Sequence, residues 1–257
     1  MVKRKARREH MPPMPRVTLG YVRPGGDRAD VKAAFMACAI RTLLYELATT
    51  GTPYDAVDQQ CASGQLVDAR NSLVEHFLNT PIEWLWCVDS DMTFEADCVS
   101  RLLASADKDE RPVMGALCFA LKLGETEPRL MTNKFSVVPT IYTWNEITDD
   151  TGKVVNVGFT PFFDYPKNTI VKVDATGGAC FVVHRSVLER IREQCGPVWF
   201  NRLEHPDAKM PFGEDVSFFA RCAQVGVPVH IDTGVQTGHI KGGVDITEEW
   251  YDANRAS

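Results

Sequence analysis

Two aspartates stand directly behind an apolar run near the middle of the chain. The run Trp84-Leu85-Trp86-Cys87-Val88 leads into Asp89-Ser90-Asp91. Such a run is typical of a parallel strand covered on both faces, and open parallel sheets bind ligands beyond the carboxyl ends of their strands. Adjacent carboxylates repel each other, and Mg²⁺ or Mn²⁺ relieves that repulsion. The spacing therefore predicts a divalent-cation site, and the alternative is a polar turn that caps a following helix.

Three later segments carry residue types that suit a ligand site. In Thr176-Gly177-Gly178-Ala179, paired glycines permit close backbone approach to a ligand, although a plain turn also explains them. In Gly213-Glu214-Asp215, adjacent acids begin an apolar-faced helix, where helix-dipole chemistry by itself also favours acids. His239 follows the last predicted strand and is either a structural hydrogen-bonder or the imidazole of a mixed carboxylate and imidazole site.

Strand and helix patterns alternate over the first half of the chain and must position these residues. A long helix carries two apolar rows, Phe35-Ala39-Leu43-Leu47 and Met36-Ile40-Leu44, which predict a wide stripe facing a core. The other patterns predict strands over 17–22, 54–58, 82–88 and 112–119 and a helix over 66–78. This alternation predicts an α/β class with a mainly parallel central sheet.

The second half of the chain has a different pattern. Residues 125–172 hold several strand-like pieces separated by turns, which predict an antiparallel extension. After them come predicted helices over 186–194 and 215–224 and a late strand over 227–232. One Rossmann-like α/β domain with an antiparallel extension explains this order better than two separable domains.

The composition of the 257 residues is that of a globular protein, with 44% hydrophobic and 24% charged residues. This excludes a disordered, collagenous or coiled-coil chain. Residues 1–16 carry six basic residues against Glu9, so that a net charge of −6 leaves −11 for the remainder. An acidic body is a poor general nucleic-acid binder, and we expect no strong nucleic-acid binding.

The sequence also predicts where the protein resides. No stretch approaches the ~18 apolar residues of a membrane span, and no apolar run follows the basic N-terminus. The eight cysteines form no C-x-x-C pair, and reduced thiols are the expected state. We therefore expect a soluble, cytoplasmic protein, and the sequence leaves open whether it forms a homo-oligomer.

Together these pieces resemble the soluble GT-A glycosyltransferases, particularly the family-2-like enzymes of bacteriophages and bacteria. The succession of Gly-Gly, Glu-Asp and Gly-His is also similar to that of the polypeptide GalNAc-transferases. The resemblance extends over residues 17–239, and its motifs are Val17–Val22, Asp68-Ala69-Arg70-Asn71, Val88-Asp89-Ser90-Asp91, Thr176-Gly177-Gly178-Ala179, Gly213-Glu214-Asp215 and Gly238-His239. Each motif is short, and the specificity lies in their joint order and spacing.

The resemblance implies an organisation of the chain and a role for each motif. It implies a GT-A domain over 16–245, with a nucleotide-binding half (16–120), an acceptor-binding half (121–245), a flexible basic tail (1–15) and a C-terminal tail (246–257). The residues implied to bind the nucleotide sugar are Tyr21, Arg23, Asp68, Arg70, Asn71, Asp89, Ser90, Asp91, Gly177 and Gly178. The implied ligands of Mn²⁺ or Mg²⁺ are Asp89, Asp91 and His239, and the implied catalytic acids are Glu214 and Asp215.

The activity that the resemblance implies is metal-dependent sugar transfer from a nucleotide-diphosphate donor to an acceptor hydroxyl, and we expect the donor to be uridine-linked. Asp215 would be the general base of an inverting enzyme, and the sequence does not choose between inversion and retention. Acceptors to consider are a phage virion protein, a host cell-wall glycan and a DNA-linked sugar, and a protein ranks first. If the chain is phage-encoded, its location is the host cytoplasm.

Two other functions compete with this interpretation. Asp89-Ser90-Asp91-Met92-Thr93 also fits the D-x-D-x-[TV] element of haloacid-dehalogenase-like phosphatases, with Asp89 as nucleophile. That element closes the first strand of its domain, whereas two strand–helix units precede it here. The other competitor is a non-catalytic module that binds a nucleotide sugar without turnover. Neither a G-x-G-x-x-G turn after a strand nor a P-loop is present, which disfavours dinucleotide-dependent oxidoreductases and P-loop enzymes.

Overall fold

A computed structural model of the protein describes residues 14–24, 32–61, 66–123, 135–206, 208–241 and 243–254. The predicted basic tail lies outside these ranges over 1–13. The elements of the first half are β1 Val17–Pro24, α1 Ala33–Thr50, β2 Asp55–Cys61, α2 Leu66–Leu78, β3 Trp84–Val88, β4 Met92–Phe94, α3 Cys98–Ser105, β5 Val113–Leu117 and β6 Phe119–Leu123. Those of the second half are β7 Phe135–Pro139, β8 Ile141–Thr148, β9 Val154–Pro161, β10 Ile170–Val173, β11 Ala175–Thr176, β12 Cys180–His184, α4 Arg185–Cys195, α5 Glu214–Gln224, β13 Val229–Lys241, β14 Val244–Ile246 and α6 Glu248–Asn254.

The main sheet has the order β10-β13-β5-β12-β3-β1-β2, with β4 and β14 paired to the far half of β13. Strands β2, β1, β3, β5 and β13 run in one direction, and β12 and β10 run against them. The predicted α/β class with a mainly parallel central sheet is therefore confirmed. The antiparallel extension consists of the β11-β8-β9 sheet and the β6-β7 pair, whereas β10, expected in the extension, joins the main sheet.

Strand β3 lies in the middle of this sheet because its side chains are apolar on both faces. Leu85 and Cys87 pack in the core on the side of α2, α4 and α5. Trp86 and Val88 alternate with them and pack in the core on the side of α1 and α3. A strand buried on both faces needs apolar residues at successive positions, which is why the run that predicted this strand is continuous. Its carboxyl end delivers Asp89 and Asp91 to one edge of the sheet.

Helix α1 buries a different face from the predicted one. Its buried residues are Phe35, Cys38, Ala39, Thr42 and Glu46. The exposed apolar side chains along it are Met36, Ile40, Leu44, Tyr45 and Leu47. The expected wide apolar stripe is therefore wrong for the row that begins at Met36 and for Leu47 of the other row. Polar contacts favour this rotation of the helix. The buried Glu46 carboxylate pairs with Arg16 at 3.0 Å and accepts a hydrogen bond from Ser100, so the side of α1 that carries Glu46 faces inward.

Strand β13 is far longer than the predicted 227–232 and connects the main sheet to the carboxylates. Its first part pairs with β5 and β10, its register shifts between Asp232 and Gln236, and its last part pairs with β4 and β14. A β-bulge of this kind bends a strand and re-aims the side chains beyond it. The pairing of His239 with Met92 brings the imidazole beside Asp91.

The segment predicted as a C-terminal tail is ordered structure over most of its length. It holds the end of β14 and helix α6, whose Tyr251 side chain is 3% exposed and stacks on Phe119. None of the helices in the described ranges is long and apolar enough to span a bilayer. Seven of the eight cysteines are seen as free thiols, and six of these seven are buried.

Candidate active site

The turn after β3 is held by the backbone of two distant segments. The Asp89 N–H donates to the Ala179 carbonyl at 2.9 Å, and the Met92 N–H donates to the Asp89 carbonyl at 3.1 Å, which closes a tight turn. The Ile240 N–H donates to the Asp91 carbonyl at 2.8 Å. The loop that leads into β12 and the end of β13 therefore fix both aspartates, so their side chains project from a rigid frame.

Asp91 receives a different partner at each oxygen. Its Oδ1 lies 3.3 Å from Nε2 of His239, and its Oδ2 accepts a hydrogen bond from Nζ of Lys241 at 2.6 Å. Burial opposes the ionised carboxylate, but the interactions with His239 and Lys241 outweigh it and lower the pKa of Asp91 to about 2. Asp91 is therefore a carboxylate throughout the physiological range.

The tautomer of His239 is set by the hydrogen bond that its Nδ1 makes. Its Nδ1 lies 2.9 Å from the Phe119 carbonyl, and because a carbonyl oxygen can only accept, Nδ1 is assigned the proton. Nε2 is buried and lies 3.3 Å from Oδ1 of Asp91, and it has no well-aligned hydrogen-bond partner among the described residues. With a proton on Nε2 the two groups form an ion pair, and without that proton Nε2 offers a lone pair. Metal-ligating histidines commonly donate their other ring N–H to a carbonyl, and Nδ1 of His239 donates to the Phe119 carbonyl in this way.

Asp89 faces Arg70 instead of this pair. Nη2 of Arg70 donates to Oδ1 of Asp89 at 2.9 Å, and the guanidinium lies over the Phe200 ring, 5.5 Å from its centroid. The Arg70 side chain is only 9% exposed, and its buried Nε–H has no hydrogen-bond partner in the part of the chain that the structure describes. With Tyr21, Asp89 and Gly178, Arg70 lines a cleft at the carboxyl ends of β1 and β3. A buried guanidinium with donors to spare is suited to bind an anion or a polar ligand in that cleft.

Gly178 is glycine because the Arg70 guanidinium passes across it. A methyl group there would overlap Nη1 of Arg70 and would lie 3.1 Å from Cβ of Asp215. Gly178→Ala is expected to displace Arg70 from Asp89 and to lower the free energy of unfolding by about 1–3 kcal/mol. Thermal or urea unfolding measures this loss. Gly158→Ala is the matched control, because nothing lies within 4 Å of the methyl group there, and equal stability of the two variants would contradict the prediction.

Asp215 approaches the same cleft from the start of α5. Its Oδ1 accepts from the Val216 N–H at 2.7 Å, and its Oδ2 lies 3.4 Å from the Gly178 nitrogen. Burial lowers the pKa of Arg70, but Asp89, Asp215 and Glu214 together outweigh it and raise that pKa. The predicted acids of α5 and the first aspartate of the D-x-D turn therefore surround one guanidinium.

Four other predicted residues have separate surroundings. The Asn71 side chain accepts from the Trp199 and Phe200 N–H groups, both at 2.9 Å, and donates to the Phe200 carbonyl at 2.8 Å. Asn71 therefore fixes the loop that carries Phe200 beneath Arg70, and its contact with a nucleotide sugar stays a prediction. Asp68 is exposed on the first turn of α2, and Gly177 lies against Thr140. Arg23 is the penultimate residue of β1 and follows Val22, which lines the cleft.

Two residues of the site were not singled out from the sequence. Lys241 is two positions beyond His239 on a strand, and this spacing places both side chains on one face, which is a signal that could have found it. Phe200 lies under the Arg70 guanidinium, and no local pattern marks it because the Asn71 contacts that place it span about 129 positions.

No protein-family model matches the chain, and no curated protein does. Solved structures do match it. The chain is similar to GalNAc-T7 solved with UDP, GalNAc and Mn²⁺, with a TM-score of 0.51 and 12% identity over 88% of this chain and 44% of that one. The chain has a GT-A-like fold. It is also similar to A197 from STIV (TM-score 0.48, 13% identity, 90% of each chain) and to an inositol-1-phosphate CTP transferase from T. maritima (TM-score 0.44, 11% identity, 93% and 94%).

The side chains around Asp91 suit a divalent cation only if a bound molecule supplies further coordinating atoms. Within the described ranges, no group of three or more His, Cys, Asp or Glu side chains is arranged to hold a metal ion. Asp91 and His239 form a pair, and the predicted third ligand, Asp89, is held by Arg70. Mg²⁺ is commonly bound by one or two carboxylates together with substrate phosphates. The unpartnered Nε2 of His239 beside Asp91 therefore fits a cation shared with a diphosphate.

Proposed function

We propose that the protein is a divalent-cation-dependent glycosyltransferase that moves a sugar from a nucleoside-diphosphate sugar, uridine-linked in the first instance, to an acceptor hydroxyl. The observation that carries this proposal is the buried Nε2 of His239, which lies 3.3 Å from Oδ1 of Asp91 and has no well-aligned hydrogen-bond partner among the described residues. A divalent cation, Mn²⁺ or Mg²⁺, held there would stabilise the charge that develops on the leaving diphosphate. The likeness in fold to a UDP- and Mn²⁺-bound GalNAc-T7 supports the same class of donor.

In this proposal the remaining side chains bind the donor and receive a proton. Arg70 holds Asp89 in place and lines the cleft together with Tyr21 of β1, and in the donor complex its guanidinium binds the nucleotide. Ser90, Gly177 and Gly178 belong to the loops that border the donor. Asp215, at the start of α5, takes the proton of the acceptor hydroxyl if the reaction inverts, and Glu214 beside it contacts the acceptor.

The division of labour between the two halves follows the same proposal. The half over 16–120 contributes Arg70, Asp89 and Asp91 to the donor, and the half over 121–245 contributes Asp215 to the acceptor and His239 to the cation. The acceptor we rank first is a protein. The free thiols of the described cysteines are typical of a reducing compartment, and we propose a cytoplasmic location on that ground.

The haloacid-dehalogenase-like alternative is less well supported. There Asp89 would attack a phosphoryl group, whereas here one of its oxygens is already engaged by Arg70 at 2.9 Å. Phe219, the residue four positions after Asp215, is fully buried in the core and offers no second acid. A module that binds without turnover has the same residues available, and it is distinguished by measuring donor hydrolysis.

Thermal unfolding with nucleotide and metal tests the proposal directly. A ligand that binds only the native state at 100 times its Kd adds about 2.7 kcal/mol of stability, which is several degrees in Tm for a chain of this size. UDP with Mn²⁺ is expected to raise Tm by that amount, and UDP with EDTA is expected to raise it far less. Adenosine diphosphate with Mn²⁺ is the control for nonspecific chelation.

Two outcomes count against the proposal. If UDP stabilises the protein equally in Mn²⁺ and in EDTA, the metal has no role in donor binding. If no nucleoside diphosphate shifts Tm under either condition, the cleft does not bind a nucleotide donor. Binding of UDP without slow hydrolysis of any UDP-sugar favours the non-catalytic module.

A further inference from the structure

Among the described residues, Lys241 is the one cation at the D-x-D turn to which the proposed function assigns no role. Its ammonium lies 2.6 Å from Oδ2 of Asp91, and its side chain is 40% exposed. The other oxygen of Asp91 faces His239. Lys241 therefore occupies Oδ2, the second carboxylate oxygen that a divalent cation bound to Asp91 would use.

The bond to Lys241 is not needed to hold Asp91 in place. The backbone of Asp91 is fixed by the Ile240 N–H at 2.8 Å, and an ion pair with a 40%-exposed lysine contributes little to stability. By contrast the backbone of Lys241 is fixed, because it pairs with Val244 across the β13-β14 turn. A flexible four-carbon stem on a fixed backbone lets the ammonium move several ångströms without rearranging the fold.

The charges around the D-x-D turn indicate which group the Lys241 ammonium would approach when a donor binds. Four carboxylates, on Asp89, Asp91, Glu214 and Asp215, stand near two cations, on Arg70 and Lys241. A nucleoside-diphosphate sugar adds two more negative charges to this acidic edge. Phosphate oxygens shared with a cation at Asp91 would lie beside the Lys241 ammonium, which binds phosphate as a compact point charge.

We propose that Lys241 is a diphosphate-binding residue that neutralises Asp91 in the free protein and passes its ammonium to the donor diphosphate when a divalent cation takes Asp91. The inference rests on the proposed function and adds to it a residue with two alternating partners. It makes Lys241 a competitor of the cation in the free protein and a partner of the cation in the donor complex. Loss of the ammonium should therefore tighten Mn²⁺ binding in the free protein and weaken UDP binding in the presence of Mn²⁺. A purely structural role would produce neither change.

Lys241→Met tests both signs because it keeps the length of the stem and removes the charge. Mn²⁺ binding without nucleotide, followed by electron paramagnetic resonance, is expected to become about tenfold tighter. UDP binding at saturating Mn²⁺, followed by calorimetry, is expected to become about tenfold weaker. Lys241→Arg keeps the charge and should stay close to the parent in the UDP titration. Lys172→Met removes an exposed lysine on β10, away from the turn, and should match the parent in both titrations.

The outcomes separate this inference from the proposed function. If the parent binds UDP with Mn²⁺ and Lys241→Met matches it in both titrations, the inference is wrong and the proposed function stands. If Lys241→Met weakens Mn²⁺ and UDP binding alike while its circular dichroism and Tm stay parental, Lys241 supports the cation instead of competing with it, and the exchange is also wrong. If the parent binds neither Mn²⁺ nor UDP, the proposed function fails and takes the inference with it.

Discussion

The Asp215→Asn protein is expected to bind UDP and Mn²⁺ like the parent and to release UDP from a UDP-sugar about 10²–10⁴-fold more slowly. The amide keeps a carbonyl oxygen for the Val216 N–H, which the Asp215 Oδ1 accepts at 2.7 Å, so the start of α5 is retained. What it loses is a group basic enough to take the acceptor proton. The measurement is the rate of UDP release together with a UDP titration at saturating Mn²⁺.

Asp109→Asn is the matched control for this substitution. Asp109 is exposed in the turn before β5, far from the cleft, and the same carboxylate-to-amide change there should leave both measurements at the parental value. A parental rate of UDP release in Asp215→Asn would show that the base is another group, as expected of a retaining enzyme. Loss of UDP binding in the same variant would move Asp215 from the acceptor to the donor.

The Asp91→Asn protein is expected to lose the part of UDP affinity that depends on Mn²⁺, which is a weakening of about 100-fold or more at saturating metal. The substitution replaces a charged, two-oxygen ligand by a neutral amide and leaves Nε2 of His239 without a carboxylate beside it. UDP titrations in Mn²⁺ and in EDTA measure the metal-dependent part. In EDTA the variant should bind UDP at least as tightly as the parent, since the nucleotide contacts proposed for Arg70 and Tyr21 remain and Lys241 is no longer paired with Asp91.

The pH dependence of stability gives an independent check on the same carboxylate. Because the pKa of Asp91 is lowered to about 2, its ionised form stabilises the fold above the ordinary carboxyl pKa of about 4. This contribution is lost as the pH falls from about 4 towards 2. The difference in Tm between parent and Asp91→Asn should therefore be constant near neutral pH and shrink below pH 4. A difference that grows on acidification would contradict the assigned ion pairs.

Local patterns were sufficient to predict most of the sheet. The two-sided burial of β3 requires the continuous apolar run that predicted it, and α2 begins and ends where its apolar period does, at Leu66 and Leu78. Because the carboxyl ends of parallel strands share one edge, the position of Asp89 and Asp91 on that edge followed from the strand assignment alone.

Local patterns failed where two faces of an element were equally apolar or where a contact was distant. Helix α1 has apolar residues on both sides. The side that is buried is the one that carries Glu46, which pairs with Arg16, 30 positions earlier in the chain. The extent of β13 depended on its pairing with β4, which is distant in the chain. The contact between Lys241 and Asp91 at the same place joins residues that are 150 positions apart. No local pattern indicated that Asn71 also holds the backbone of residues 199 and 200.

The sequence by itself determined the order of the elements and which side chains follow the strands, because apolar periodicity and turn residues act over a few positions. Only the tertiary structure decided the partners within the site: Arg70 with Asp89, and His239 and Lys241 with the two oxygens of Asp91. Those pairs depend on the strand order and on the register shift in β13, which set distances between residues far apart in the chain. A change of one residue in a strand's register reverses which face a side chain occupies, and no local pattern reports it.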